Sequence, residues 1–406
     1  MTRVRWTVRL AVAALLVAAA APIAAAHDDV RPARDDVRPE HDDFDPARER
    51  VDAETALTTD ARIIAASQDW PVEAALEHLD AQQQFVALSY ELSQRYERTY
   101  AGAVFAKQPG DVSLIRFVGE PPAVAARLAE EYALPIEIVG DAQYSQTELQ
   151  DRARAVHRAL QHQGFREVVT ATTPEDTILA SVVGDQPSEL PRRLAEGVVV
   201  EVYEEPIAVD EHSRGGARLL DDGVFECTSG FAVRSTAGVS GIATAGHCVG
   251  LNQYQQPEDG LVYSMTHQAQ HVGWYGDLEW KTTVHIEPAE FYATATQIRD
   301  VNVVTPAYSL PVNTWSCVYG RSSDQRACDR IFSTFVTATT PAGTASSLYA
   351  MDNDNTIGGD SGGPWSFATI ADGIHKGDIT IDGGRRNVWS QVGLLPAALG
   401  VEVDTK

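Results

Sequence analysis

The chain is short of positive charge. Its 32 lysines and arginines face 57 aspartates and glutamates over 406 residues, a formal net charge of −25. Binding phosphates or anionic lipid headgroups needs clustered cations, so this balance excludes nucleic acid and membrane surfaces as expected partners. Long apolar runs are lacking too. The one run near the start, residues 10–21, falls short of the roughly 20 residues that a membrane span requires. There is no Cys-x-x-Cys pair, no His-Glu-x-x-His, no Gly-x-Gly-x-x-Gly and no Walker loop, so neither a metal nor a cofactor is predicted. Cysteine is scarce: Cys227, Cys248, Cys317 and Cys328 are the four, all in the C-terminal half.

What is present begins with an export signal. Arg3, Arg5 and Arg9 precede the apolar run, and Ala24, Ala25 and Ala26 offer the small residues of a cleavage site, so residues 1–26 read as a signal peptide. Export makes an even cysteine count a disulfide count, although arithmetic leaves three pairings open. The reading is of an extracellular monomer. Three degenerate heptads follow, beginning at His27, Arg34 and His41. They hold little apolar surface, and residues 27–54 are expected to be a disordered acidic leader.

A 44% hydrophobic composition is ample for packed cores in the rest, and the length calls for two or three domains. Residues 55–212 read as an α+β region. A helix over 72–97, strands over 101–105 and 112–118, a helix over 122–132 and a strand over 135–139 give the order α-β-β-α-β. The same order repeats over 147–161, 167–171, 177–183, 190–195 and 198–203. Two ferredoxin-like subdomains in tandem are expected. From residue 213 short β-rich runs alternate with Gly, Ser, Thr and Asn, which suggests an all-β barrel or sandwich closed by a small helix near 396–399.

The chemistry lies in this last region. Gly359-Asp360-Ser361-Gly362-Gly363-Pro364 sets a serine among glycines that permit tight backbone conformations and close substrate approach. The amides of Gly359 and Ser361 could converge as an oxyanion hole. A hydroxyl needs a base to become a nucleophile, and His247 in Thr244-Ala245-Gly246-His247-Cys248 is the candidate. A carboxylate must hold that imidazole in one tautomer. Asp277 is preferred, with Glu279 and Asp300 as rivals.

These motifs resemble the chymotrypsin-fold (trypsin-like) serine peptidases, and more closely the bacterial branch of alpha-lytic protease and the streptogrisins. The order His, Asp, Ser agrees with that family. The resemblance spans about residues 215–404 and implies a double β-barrel protease domain over 213–406. It implies a serine endopeptidase acting on proteins or peptides, with a mature start near Arg214-Gly215-Gly216. It pairs Cys227 with Cys248 and Cys317 with Cys328. It also casts the α+β region as a pro-region that assists folding and inhibits. Two departures stand out. Residues 351–358 lack the cysteine of the third disulfide that relatives carry beside the substrate pocket, and Asn355 and Thr356, both uncharged, lie where relatives line that pocket. Lys376 stands where relatives place a serine that supports the triad aspartate, and a lysine there would disturb the site. Asp354 and Asp378 leave room for a basic P1 residue. A catalytically silent, protein-binding relative is the competing reading.

Overall fold

The computed structural model describes residues 49–132, 134–210, 217–255 and 260–406. The expected signal peptide, the heptads and the expected mature start at Arg214 lie outside the described residues.

The N-terminal half is built on long helices. Asp52 caps the helix Ala53–Gln68 by accepting the Thr55 amide at 2.8 Å. The helix Val72–Arg95 buries Ala75, Leu79, Gln82, Phe85, Leu88 and Leu92, the three- and four-residue spacing of one helical face. The strand Glu49–Val51 and the start of the helix Ala53–Gln68 fall inside the stretch expected to be a leader, and Val51 and Ala56 are buried there.

The doubled α-β-β-α-β order is present. Strands Tyr100–Val104, Ser113–Val118 and Ile136–Ala142 form one three-stranded sheet, antiparallel and then parallel. Strands Val168–Thr172, Ile178–Val183 and Val198–Tyr203 repeat that pattern. Neither sheet is the four-stranded ferredoxin-like arrangement that was expected. That fold needs a strand ahead of the first helix of each copy. The strand that does precede the helices, Glu49–Val51, pairs in parallel with Gln297–Asp300 of the C-terminal half instead.

The C-terminal half has two cores. In the first, the sheet Thr266–Gly273, Gly276–Thr282, Ser240–Thr244, Ala232–Ser235, Val401–Val403 and a four-stranded sheet, Val224–Thr228 to Val262–Ser264, enclose Phe231, Val233, Ile242, Leu278 and Leu395. In the second, six strands close into a ring: Trp315–Gly320, Pro364–Phe367, Ile370–Ile381, Gly384–Gln391, Gly343–Met351 and Gln325–Thr340, the last pairing back onto the first. The two disulfides join Cys227 to Cys248 and Cys317 to Cys328.

The halves share structure. Val168–Thr172 pairs antiparallel with Gln325–Thr340, so the second helical copy extends the ring's sheet. The first two helices form a common core with Trp315, Phe367 and Ala368. At its centre Asp60, fully buried, accepts from Arg299 Nη1 at 2.9 Å, Arg326 Nε at 2.7 Å and the Ala368 amide at 2.8 Å.

Candidate active site

The glycines around Ser361 have a steric reason. Gly362 has φ +86°, and a Cβ there would sit 2.3 Å from the Thr228 carbonyl oxygen. The Ser361 carbonyl accepts the Thr228 amide at 2.7 Å, and the Gly362 amide donates to the His375 carbonyl at 2.8 Å. The serine is thereby pinned between the two cores, on a backbone that only glycine neighbours allow. Gly359 has φ +115°.

His247 follows the strand Ser240–Thr244, and its loop is tied by the Cys227–Cys248 bond. Gly246 lets the Asp277 carboxylate approach: a Cβ there would lie 2.7 Å from Asp277 Oδ1. Asp277 is the second residue of Gly276–Thr282, and its amide donates to Ser390 Oγ at 2.9 Å.

The three residues meet although 30 and 114 positions of sequence separate His247 from its partners. His247 Nδ1 lies 2.6 Å from Asp277 Oδ2, and Nε2 lies 3.0 Å from Ser361 Oγ. A carboxylate accepts only, so Nδ1 carries the proton and Nε2 is left to accept from the serine. The Ser361 hydroxyl has a second acceptor in reach, the Lys376 carbonyl at 3.1 Å. His247 is 5% exposed and Asp277 and Ser361 are fully buried, so the set lies in a low-dielectric environment.

The rivals sit elsewhere. Glu279 is held by His267 Nδ1 at 2.6 Å and Lys281 Nζ at 2.5 Å, and Asp300 pairs with Lys406 at 3.2 Å.

Lys376 is built into the site. Its ammonium donates to Asp277 Oδ2 at 2.8 Å, with the side chain 2% exposed. Burial alone would raise the Asp277 carboxyl; the charges of Lys376 and His247 overcome that and hold it well below the usual carboxylate range. A lysine thus supplies the hydrogen bond expected of a serine, and adds a charge to it.

The stretch without the third disulfide's cysteine has polar ties. Asp329 accepts the Asn353 amide at 2.7 Å and Asn355 Nδ2 at 3.3 Å, and Asn387 Oδ1 accepts the Asn355 amide at 2.7 Å. Burial pushes the Asp329 carboxyl up to about 6. Arg385 pairs with Asp378 at 2.5 Å and with Asp354 at 3.3 Å, so both acids noted beside the pocket already have a cation.

The chain also lies along its own site. The strand Ala208–Asp210 pairs antiparallel with Gly377, Asp378 and Ile379, starting one residue past Lys376. Sequence reading had no signal for this strand.

Two clusters among the described residues have metal-ligand proximity, Cys227–His247–Cys248 and Asp60–Cys317–Cys328. In each, both cysteines are in a disulfide and have no thiolate to offer a metal. Among the described residues no helix is long and apolar enough to cross a membrane.

No family model matches the sequence, and no curated protein matches it. Among solved structures, the chain is similar to Thermobifida fusca protease A, at 24% identity over 47% of this chain and 98% of that one, with a TM-score of 0.39. It is similar to Cellulomonas bogoriensis chymotrypsin at 23% identity, 47% and 98% coverage and a TM-score of 0.38. It is also similar to the Nocardiopsis protease NAPase at 22% identity, 47% and 98% coverage and a TM-score of 0.38.

Proposed function

We propose that this chain is the precursor of a secreted serine endopeptidase. The carrying observation is the continuous hydrogen-bonded set Asp277–His247–Ser361, at 2.6 and 3.0 Å. Ser361 Oγ attacks the scissile carbonyl carbon while His247 Nε2 takes its proton. Asp277 keeps the imidazole in the tautomer that can do so and stabilises the imidazolium that forms. The amides of Gly359 and Ser361 bind the carbonyl oxygen as it becomes an oxyanion. His247 returns the proton to the leaving amine, an acyl-enzyme remains on Ser361, and water releases it by the same steps reversed.

The N-terminal half is the pro-region, and it inhibits. Its strand Ala208–Asp210 occupies the backbone edge beside Ser361 that an extended substrate would use. It also templates folding. The ring is rich in pairings between distant residues, which form slowly, and Val168–Thr172 offers it a ready edge.

The competing reading, a catalytically silent protein-binding relative, predicts no turnover despite the same geometry. Secreted wild type should hydrolyse casein, and Ser361→Ala should not. Equal inactivity of both, in folded protein freed of its N-terminal half, would favour the silent reading.

A further inference from the structure

This inference rests on the reading that the N-terminal half is removed, and concerns the surface that its departure uncovers. Asp60, on the helix Ala53–Gln68, reaches into a cluster of groups from the C-terminal half. Four donors converge on its carboxylate. Arg326 approaches as a fork, Nε 2.7 Å from Oδ1 and Nη2 3.0 Å from Oδ2. Arg299 Nη1 and the Ala368 amide donate to Oδ2 at 2.9 and 2.8 Å. Two oxygens gripped by one planar guanidinium is the arrangement that a carboxylate fits.

These donors do not owe their positions to Asp60. Arg299 Nε donates to Gln297 Oε1 at 2.9 Å, and its Nη1 also reaches the Ala368 carbonyl at 3.1 Å. Arg326 Nη1 donates to Ser366 Oγ at 3.1 Å and Nη2 to the Ser366 carbonyl at 3.2 Å. Two residues beyond Arg326, the Cys317–Cys328 bond ties its strand to the neighbouring one. All of these anchors lie in the C-terminal half, so the donors stay aimed when Asp60 leaves. A receptor already in place costs little ordering to fill.

The same anchors leave the receptor short of negative charge, because every one of them is neutral. The Arg299 side chain is fully buried and its Nη2 has no hydrogen-bond partner. Burial, and after it repulsion from Arg326, lowers the Arg299 guanidinium to about 10 against the pull of Asp60, which leaves it a cation at neutral pH. Asp372, a further acid that feels the charge of Arg326, accepts from the Thr305 and Ser316 hydroxyls instead of from either guanidinium. Two cations thus converge on one point whose partner departs with the N-terminal half.

We propose that Arg299, Arg326 and the Ala368 amide form a carboxylate-binding site on the C-terminal half, filled by Asp60 in the precursor and open to the acidic side chain of another protein once the N-terminal half is gone. The site gives the processed enzyme a point of attachment for acidic segments in addition to its triad.

The test uses two forms of the full chain. In the first, Asp60→Ala is added to the Ser361→Ala precursor, which leaves the donors facing the space of the lost carboxylate. Formate at about 0.1 M should raise the urea midpoint above that in chloride of equal ionic strength, and should not move the parent that keeps Asp60. In the second, processed enzyme secreted from the wild-type chain is blocked with a fluorophosphonate and titrated with N-acetylaspartate amide and N-acetylasparagine amide. Only the first of these should bind, the Ser361→Ala precursor should bind neither, and Arg299→Gln and Arg326→Gln should each weaken binding at least about tenfold. Labelling by the fluorophosphonate reports that each processed variant is folded. A folded Asp60→Ala precursor indifferent to formate, or a processed enzyme that binds neither analogue, binds both alike or keeps its affinity in the arginine variants, overturns the inference and leaves the peptidase reading standing. Secreted chain that is neither processed nor labelled overturns the peptidase reading, and formate rescue of Asp60→Ala would then still locate the carboxylate site.

Discussion

Lys376 Nζ and His247 Nδ1 share one oxygen: Asp277 Oδ2 accepts the first at 2.8 Å and the second at 2.6 Å. A neutral hydroxyl could have filled the same place without a charge. The ammonium favours the carboxylate and opposes a second positive charge on the imidazole next to it. His271 is a further titratable group facing Asp277; burial holds its ring below the ordinary value and Asp277 pulls it back up. Lys376→Ser keeps a donor and removes the charge. Its kcat/KM profile should therefore show an acid limb moved to higher pH, measured by initial rates across pH 4–9. An unmoved limb would mean that the lysine is only a strut. Lys376→Met removes both contributions and leaves Asp277 buried beside too little positive charge, which should cost about 3–5 kcal/mol of stability.

Asp277→Asn should fold normally and lose about ten-thousandfold in kcat, because the amide presents a donor to Nδ1 and turns the imidazole to the wrong tautomer. Neither Glu279 nor Asp300 can substitute, since both are committed to cations elsewhere. Single-turnover kinetics on the purified variant would check this.

Asp60 ties the N-terminal helices to the C-terminal half. It meets Arg299 and Arg326, both with side chains no more than 1% exposed, across 239 and 266 residues of sequence. Burial would raise its carboxyl, but the two guanidinium groups win and hold it below the ordinary range. Asp60→Ala leaves two buried cations unneutralised and should destabilise a Ser361→Ala precursor by about 3–5 kcal/mol in urea titration. Under the proposed processing, enzyme freed of its N-terminal half should keep the wild-type kcat/KM, because Asp60 lies in the half that is removed.

Acid should loosen the same interface. His157 Nε2 lies 2.8 Å from Thr339 Oγ1 of the C-terminal half, and burial drives its ring down to about 4. His78, packed on Trp70 and Phe105, is likewise pushed by burial to about 4. In the unfolded chain each ring binds a proton near pH 6.5. The unfolded state thus takes up more protons, and the stability from these groups is full above about pH 6.5 and is lost as pH falls toward 4. The urea midpoint of the Ser361→Ala precursor should drop between pH 7.5 and 5, and His157→Gln should reduce the drop. A midpoint that is flat over this range would contradict the assignment.

Much of the site was legible because its demands are local. Gly362 and Gly246 mark places where a side chain would strike neighbouring backbone or the Asp277 carboxylate, Gly359 has a positive φ, and such demands are written in a few adjacent letters. The strand pattern of the second half and the doubled helical order were legible from periodicity. Other features were not. The pairing of Lys376 with Asp277 joins residues 99 apart, and Asp60 meets its arginines at still longer range. The helix Ala53–Gln68 buries mostly alanines (Ala56, Ala61 and Ala65 beside Ile64), which gives little contrast to read. The missing fourth strand of each expected ferredoxin-like sheet is a tertiary choice: Glu49–Val51 had a better edge to join, in the other half of the molecule.

The most direct measurement is on the secreted product. Wild type and Ser361→Ala would be treated with a fluorophosphonate probe, and the N-terminus of the labelled band sequenced. Labelling of wild type alone, on a chain that has lost its N-terminal half, is the result expected of an activated Ser361 in a processed enzyme. A folded, processed wild type that takes no label would contradict it, and would mean that the hydrogen-bonded set at 2.6 and 3.0 Å does not make Ser361 a nucleophile.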